Sequence, residues 1–289
     1  MKLAFVILNY NSADYTVRLL ESLAFQGDRY FFVYVVDNAS QPEDRALLEQ
    51  YLQGTPLTVR FIANAENLGF SGGNNAGIRE ALQNESDWIV CLNSDTWVNR
   101  NFVQDLKKAF PPHPVLVGIP LKEHDEVAYA GRVQWFRTTL SHVTSPEQKD
   151  SILYVIGAAL AVHRDVLKKV GLWDDRYFLY FEDAEFSMRV RRHGFPILFL
   201  EQPIVLHAGS ATTKKLGSGL LLHYHVRNAL LFHATHAPWF VRLALPFWSF
   251  FIMFKQFLKI LLIPHRRSVS RQILYGILDF YQRRFGKLQ

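Results

Sequence analysis

One cysteine, Cys91, stands among 289 residues, so no intramolecular disulfide staples the chain and a reducing compartment suits it. The segment 1–15 lacks a long apolar region and a small-residue cleavage site. It reads as a first buried strand rather than a signal peptide. The glycine-rich stretch 67–77 lacks a following Gly-Lys-Ser/Thr, which excludes a Walker loop. It also follows the third apolar run with the wrong spacing for the dinucleotide fingerprint. The histidines show no His-Glu-x-x-His spacing. Acidic residues are nearly absent from the C-terminal part. Residues 1–207 hold 20 Lys/Arg against 25 Asp/Glu, a net −5, whereas residues 208–289 hold 12 against one, Asp279, a net +11. A split this sharp points to a separate partner for the C-terminal part, with anionic lipid and nucleic acid as the two usual classes.

What is present is apolar and aromatic. Hydrophobic residues make up 49% and aromatics 14%, which excludes disorder and allows a sizeable core. Short apolar runs at 3–8, 31–36, 58–62 and 88–92 read as buried strands. Segments 13–25, 42–52 and 75–82 have helical spacing, with 64–73 as a loop between strand and helix. Strand and helix alternate, which predicts right-handed β-α-β units around a mostly parallel sheet, an α/β fold. Each strand ends in a polar cluster, and ligands of such sheets bind beyond the carboxyl ends of the strands. Further along, 151–162 and 197–207 read as strands, and 217–289 as helical.

Five polar clusters carry the candidate chemistry. Asp37 reads equally as a turn residue or as an acceptor for a nucleobase N–H. The segment Asn67–Gly77 reads as a glycine-rich turn or as a backbone that approaches a phosphate at a helix start. Asp95, in Asn93-Ser94-Asp95-Thr96, ends a strand as a turn or as a ligand of a divalent cation. Among the acids 182–185, Glu185 is spaced to pair with Arg189 on a helix that Glu182 shares, whereas Asp183 faces elsewhere and suits a carboxylate base. His207 ends the last strand, as a buried, hydrogen-bonded side chain or as a ligand.

In their order, Val6–Asn11, Val35–Ser40, Asn67–Gly77, Leu92–Thr96 and Phe178–Asp183 resemble the family-2 glycosyltransferases, in particular the bacterial rhamnosyltransferase-like branch. The resemblance covers about residues 1–210. It implies an A-type glycosyltransferase fold, a Rossmann-like nucleotide half (about 1–98) joined to an acceptor half (about 99–215), and inversion at the anomeric carbon. It implies that Leu8, Asn9 and Tyr10 line base and ribose, that Asp37 bonds the pyrimidine, and that Asn67, Gly69, Phe70, Asn75 and Ser94 shape the donor pocket. Asp95, with His207, would hold Mg²⁺ or Mn²⁺, and Asp183 would be the general base. Trp173, Tyr180, Glu182 and Arg189 would face the acceptor. The donor it favours is dTDP-L-rhamnose, with UDP-sugars next, and the acceptor a polyprenyl-linked or growing surface glycan. Two positions depart from the pattern: Asn93 stands where many relatives have a first Asp, and Asn74 where other branches often have Arg.

Residues 216–289 form the second expected unit, helical and basic. In 239–263 the longest charge-free stretch is the twelve residues 243–254, which Pro246 interrupts. A spanning helix needs about 20 apolar residues. The expected element is therefore one or two interfacial amphipathic helices on an anionic membrane surface, at the cytoplasmic face of the inner membrane. The same helices would otherwise pack on the catalytic domain or pair two copies of the chain. A nucleic-acid partner is disfavoured, because the tail is contiguous aliphatic and aromatic rather than interleaved basic and aromatic. A nucleotidyltransferase would need a glycine-rich loop with a basic residue right after the first strand, which this chain lacks. An inactive sugar-binding module is the remaining rival.

Overall fold

The computed structural model describes residues 1–136, 139–145, 152–209 and 218–288. The expected boundary at 215/216 lies outside these residues.

The first half alternates as its apolar pattern requires: β1 (Leu3–Asn9), α1 (Ala13–Ala24), β2 (Phe31–Asp37), α2 (Pro42–Gly54), β3 (Val59–Ala63), α3 (Gly69–Gln83) and β4 (Trp88–Asn93). The chain continues with β5 (Thr96–Val98), α4 (Phe102–Ala109), β6 (Leu116–Gly118), β7 (Leu121–Glu123), β8 (Glu126–Ala128), β9 (Ala130–Val133), β10 (Leu140–Val143), β11 (Leu153–Tyr154), β12 (Ala159–His163), α5 (Arg164–Val170), α6 (Glu182–Arg192), β13 (Ile197–Phe199) and β14 (Val205–His207). Three long helices close the chain: α7 (Ser218–His236), α8 (Trp239–Leu262) and α9 (Arg267–Tyr281).

The central sheet has the order β13-β6-β12-β4-β1-β2-β3. Every pairing is parallel except the two made by β12. β1 is apolar throughout because both its faces are covered. Leu3, Phe5 and Ile7 pack with Leu19, Leu20 and Leu23 of α1, whereas Ala4 and Val6 pack with Ile78 and Ala81 of α3. β5-β14-β7-β8 form a second sheet and β10-β9-β11 a third.

Three elements differ from the sequence reading. The loop expected up to residue 73 is helical from Gly69, because α3 lies so close to β1 that only glycine fits. A Cβ on Gly73 would stand 2.4 Å from Leu8 Cδ1, and one on Gly77 2.6 Å from Val6 Cγ1. The run 197–207 is two strands, β13 and β14, in different sheets. Within the run 151–162, β11 and β12 likewise belong to separate sheets.

α9 packs along α7 through Gly276, whose Cβ would meet His223 O at 2.7 Å. Beside it His223 Nε2 lies 2.8 Å from Asp279 Oδ2. α8 runs unbroken through Pro246 for 24 residues and is long and apolar enough to cross a membrane. Only Val241, Leu245, Ser249 and Gln256 of it are buried. Leu245 packs with Leu230 of α7 and Ile277 of α9, while Phe247, Phe250, Phe251, Phe254 and Phe257 are exposed.

Candidate active site

From β1 the chain moves outward to β2 and β3, then returns to place β4 on the other side of β1. That reversal leaves a crevice beyond the carboxyl ends of β1 and β4. A cavity of about 360 Å³ lies there. Leu8 and Tyr10 line it from β1, and Asn93, Ser94 and Asp95 from β4. Asn67, Gly69 and Phe70 contribute from the start of α3, and His207 from the end of β14. Eight of the residues expected from the sequence are thus brought to one wall.

Gly69 shows why this wall needs glycine. Its φ is +73°, and an added Cβ would lie 2.4 Å from Phe178 O. Asn67 Oδ1 accepts from Gly69 N and from Asn38 Nδ2, which fixes the turn into α3. Ser12 Oγ donates to Ser94 Oγ and so ties the two strand ends together.

Asn9, Asp37 and Asn75 stand behind the wall rather than on it. Asn9 is fully buried. Its Nδ2 donates to Asp37 Oδ1 at 3.0 Å and to Asp44 Oδ2 at 2.9 Å, and its Oδ1 accepts from Thr16 Oγ1. Asn75 Nδ2 donates to Trp173 O and Asp175 Oδ1, and its Oδ1 accepts from Trp173 N, which clamps α3 to the segment 173–175.

Asp95 and His207 converge across a strand pairing, with His207 opposite Thr96. His207 Nε2 lies 3.2 Å from Asp95 Oδ1, and Nδ1 lies 2.5 Å from Glu123 Oε1 on β7. Burial opposes a charged His207 ring, but the hydrogen bonds and charges of Asp95 and Glu123 outweigh it and raise its pKa. No group of three His, Cys, Asp or Glu placed to hold a metal occurs among the described residues. The donor set facing the cavity is one carboxylate and one imidazole. That set fits a Mg²⁺ or Mn²⁺ ion whose remaining ligands are diphosphate and water oxygens. Glu123 lies behind the ring, the position from which a carboxylate could orient His207 toward a cation.

Asp183 opens α6. Two successive left-handed residues, Tyr180 and Phe181 (both φ +72°), turn the chain into that helix. Such conformations cost about 1–3 kcal/mol each and persist where the surroundings hold them. Here Asn228 of α7 donates to Leu179 O and Tyr180 O. Asp183 Oδ2 accepts from Gly157 N at 2.9 Å and Oδ1 from Ala184 N at 2.7 Å. Burial raises its pKa, and these amides oppose the rise. A Cβ on Gly157 would meet Asp183 Cβ at 3.2 Å and the Phe70 ring at 3.4 Å, so Gly157 sits between Asp183 and Phe70; Phe70 lines the cavity and Asp183 does not.

The residues expected to face an acceptor separate. Tyr180 is half-buried, its ring edge-on to His225. Glu182 is buried, with Oε2 lacking a hydrogen-bond partner, and burial next to Asp183 pushes its pKa well up. Trp173 is buried and stacks on Phe70. Arg189 grips Glu185 and donates to Val170 O and Leu172 O. None of Trp173, Tyr180, Glu182 and Arg189 lines the cavity. Arg189 is held in a half-buried pairing that also fastens the 170–172 turn. Glu123, Tyr224 and Lys287 belong to the site or its support and carry no signal in the sequence, whereas Asn38 and Phe178, which also belong to it, lie in the motifs Val35–Ser40 and Phe178–Asp183 without a role assigned to them there. They reach it from β7, α7, the segment after α9, the end of β2 and the turn before α6.

Comparison with known proteins gives a consistent set. The family model described as Glycosyl transferase family 2 matches residues 4–171, and that described as Glycosyl transferase family group 2 matches residues 88–263. The low-salt glycan biosynthesis hexosyltransferase Agl10 of Haloferax volcanii is 24% identical over 79% of this chain and 74% of its own length. The N-acetylglucosaminyl-diphospho-decaprenol L-rhamnosyltransferase of Mycobacterium tuberculosis is 22% identical over 81% of this chain and 85% of its own. Among solved structures, the mannosyltransferase PcManGT from Pyrobaculum calidifontis, in complex with GDP-Man and Mn²⁺, shares the fold. Its TM-score is 0.58 at 14% identity, over 98% of this chain and 87% of that one.

Proposed function

Because the chain belongs to glycosyl transferase family 2, we propose that it moves L-rhamnose from dTDP-L-rhamnose onto a lipid-linked or growing surface glycan, with inversion. The chain is a glycosyltransferase; the donor, the acceptor and the residue roles are the proposal. One observation carries it. Asp95 and His207 meet in a crevice that Phe70 also lines, and Asp183 is held on the Gly157 amide, next to the Phe70 ring and just behind that wall.

In this reading Leu8, Tyr10, Asn67, Gly69 and Phe70 form the donor wall, and Asn9 and Asp37 hold its β1 turn from behind. Asp183 takes the proton of the acceptor hydroxyl. The freed oxygen attacks the anomeric carbon as the bond from that carbon to the diphosphate oxygen breaks, and the nucleoside diphosphate leaves. Only one base acts and no side chain attacks the sugar, so the displacement is single and the configuration inverts. A divalent cation held by Asp95 and His207 would offset the charge on the departing diphosphate. The names of the decaprenol-linked and hexosyl relatives support a lipid-held or polymeric acceptor.

Such an acceptor needs an enzyme at the membrane. α8 presents six exposed phenylalanines, with Arg242, Lys255, Arg266 and Arg267 exposed nearby. Its other side packs on α7 and α9. This arrangement supports a helix lying in the headgroup region of an anionic bilayer, at the cytoplasmic face of the inner membrane, rather than one crossing it alone.

The test is transfer from dTDP-L-rhamnose and from a panel of UDP-sugars onto a polyprenyl-diphosphate-linked acceptor, with the product's anomeric configuration read by NMR. Rhamnose transfer with inversion is expected. Preferred transfer from a UDP-sugar would replace the donor assignment, and a retained configuration would remove the single displacement.

A further inference from the structure

The cavity is completed by the far end of the chain. After α9 the backbone folds back across α7 and reaches the donor wall. Gly286 N donates to Arg176 O at 3.0 Å. The buried Arg227 donates through Nη2 to Gly286 O at 2.7 Å and through Nη1 to Arg284 O at 3.3 Å. Leu288 N donates to the Tyr224 hydroxyl at 3.0 Å. Tyr224 in turn stacks on Phe178, with ring centroids 5.0 Å apart. Residues 284–288 are therefore pinned as a strap, and Lys287 and Leu288 line the cavity together with Asn67, Gly69 and Asp95.

Lys287 is the single Lys or Arg among the described residues lining this cavity. Its Nζ lies 3.1 Å from Glu66 Oε2, and the two side chains are 50% and 66% exposed. An exposed pair of this kind is weak, because water screens it and two long side chains lose freedom to form it. A diphosphate group entering the cavity carries more negative charge than one carboxylate and meets the ammonium in a less hydrated space, where the attraction is stronger.

We propose that Lys287 is a diphosphate-binding residue carried on the 284–288 strap, and that its ammonium leaves Glu66 for the diphosphate when the ligand enters. This rests on the nucleotide-sugar reading of the cavity given above. The group could belong to the donor nucleotide or to a polyprenyl-diphosphate-linked acceptor; the ligand chemistry is the same, and the test separates the two.

The variants are Lys287→Met and Glu66→Gln in the full chain. Calorimetric titration with dTDP and UDP, each beside thymidine and uridine, reads the diphosphate contribution. If the source is the donor, Lys287→Met weakens nucleoside diphosphate binding roughly tenfold and leaves nucleoside binding unchanged. If the source is the acceptor, nucleotide binding is unchanged and the KM for a polyprenyl-diphosphate-linked acceptor rises by a similar factor. Glu66→Gln breaks the same ion pair, so it keeps or tightens diphosphate binding if Lys287 acts on the ligand. It weakens binding as Lys287→Met does if the pair only holds the strap, and that result overturns the proposal. Wild-type affinity and acceptor KM in Lys287→Met overturn it too. Wild-type protein that binds no nucleoside diphosphate would remove the nucleotide-sugar reading itself, and this inference with it.

Discussion

The Gly157 amide donates to Asp183 Oδ2 at 2.9 Å, and the neighbouring Ala158 carbonyl accepts from the Asn93 amide at 3.0 Å. Two consecutive residues before β12 thus tie the proposed base to the strand end that carries Asp95. The Asp183 carboxylate is thereby anchored to backbone that is itself bonded to the end of β4, which suits a site that must hold donor and acceptor in fixed relation.

This arrangement predicts a pH limb. Burial raises the Asp183 pKa from its ordinary value of 3.8, against the pull of two amides. A general base works deprotonated, so transfer falls as pH drops through that raised pKa. The acidic limb of kcat/KM should have its midpoint above 3.8, and a rate that stays flat through that range would count against Asp183.

Glu182 predicts a stability effect of defined sign. Its folded-state pKa is pushed well up by burial and by Asp183, and Oε2 has no hydrogen-bond partner. The folded state therefore holds this proton more tightly than the unfolded chain does. The contribution is full below the unfolded pKa and is lost as pH rises toward the folded one. Glu182→Gln removes it, so the variant's melting temperature should fall less between pH 5 and pH 8 than the wild-type value. Equal declines would argue against a buried protonated Glu182.

Much of this site was legible in the sequence because strand ends are locally encoded. An apolar run followed by Asn-Tyr-Asn or Asn-Ser-Asp marks a buried strand leaving the core, and Leu8, Tyr10, Ser94 and Asp95 all lie on the cavity as their positions suggested. The start of α3 was not legible. Glycines lower helix propensity, and what keeps Gly73 and Gly77 helical is contact with Leu8 and Val6, which only the folded chain brings. The split of 197–207 did have a local signal, since Glu201-Gln202-Pro203 interrupts the run, but the two apolar halves alone do not show that they pair with different sheets. Glu123 and Lys287 had no local signal, since their partners His207 and Glu66 lie 84 and 221 residues away. Arg189 was legible as the partner of Glu185 from their spacing, but not as a half-buried pair.

Glu123 is predicted to act through His207. In Glu123→Gln the ring loses the charged partner that orients it, so Mn²⁺ affinity measured by the signal of free Mn²⁺ should fall by roughly 10–100-fold with the fold intact. Unchanged affinity would show that Glu123 is only a surface neighbour of the ring.

The α8 face predicts lipid binding. Phe250 and Phe254 are 73% and 54% exposed, so replacing both with Asp should leave the melting temperature unchanged. Pelleting with anionic vesicles should weaken by at least roughly tenfold, from the loss of two apolar side chains. Salt-sensitive pelleting of the wild type and none of the variant would support the interfacial reading; equal pelleting would contradict it.

The central claim is that Asp183 takes the acceptor's proton while the donor is held in the crevice. The most direct measurement is transfer by Asp183→Asn beside calorimetric titration of the same variant with nucleoside diphosphate. Asn is nearly the same size and can still accept from the Gly157 amide, but it cannot take a proton. Transfer should fall by roughly 10²–10⁴-fold while nucleotide affinity stays at the wild-type value. Near-normal transfer by the variant would contradict the account.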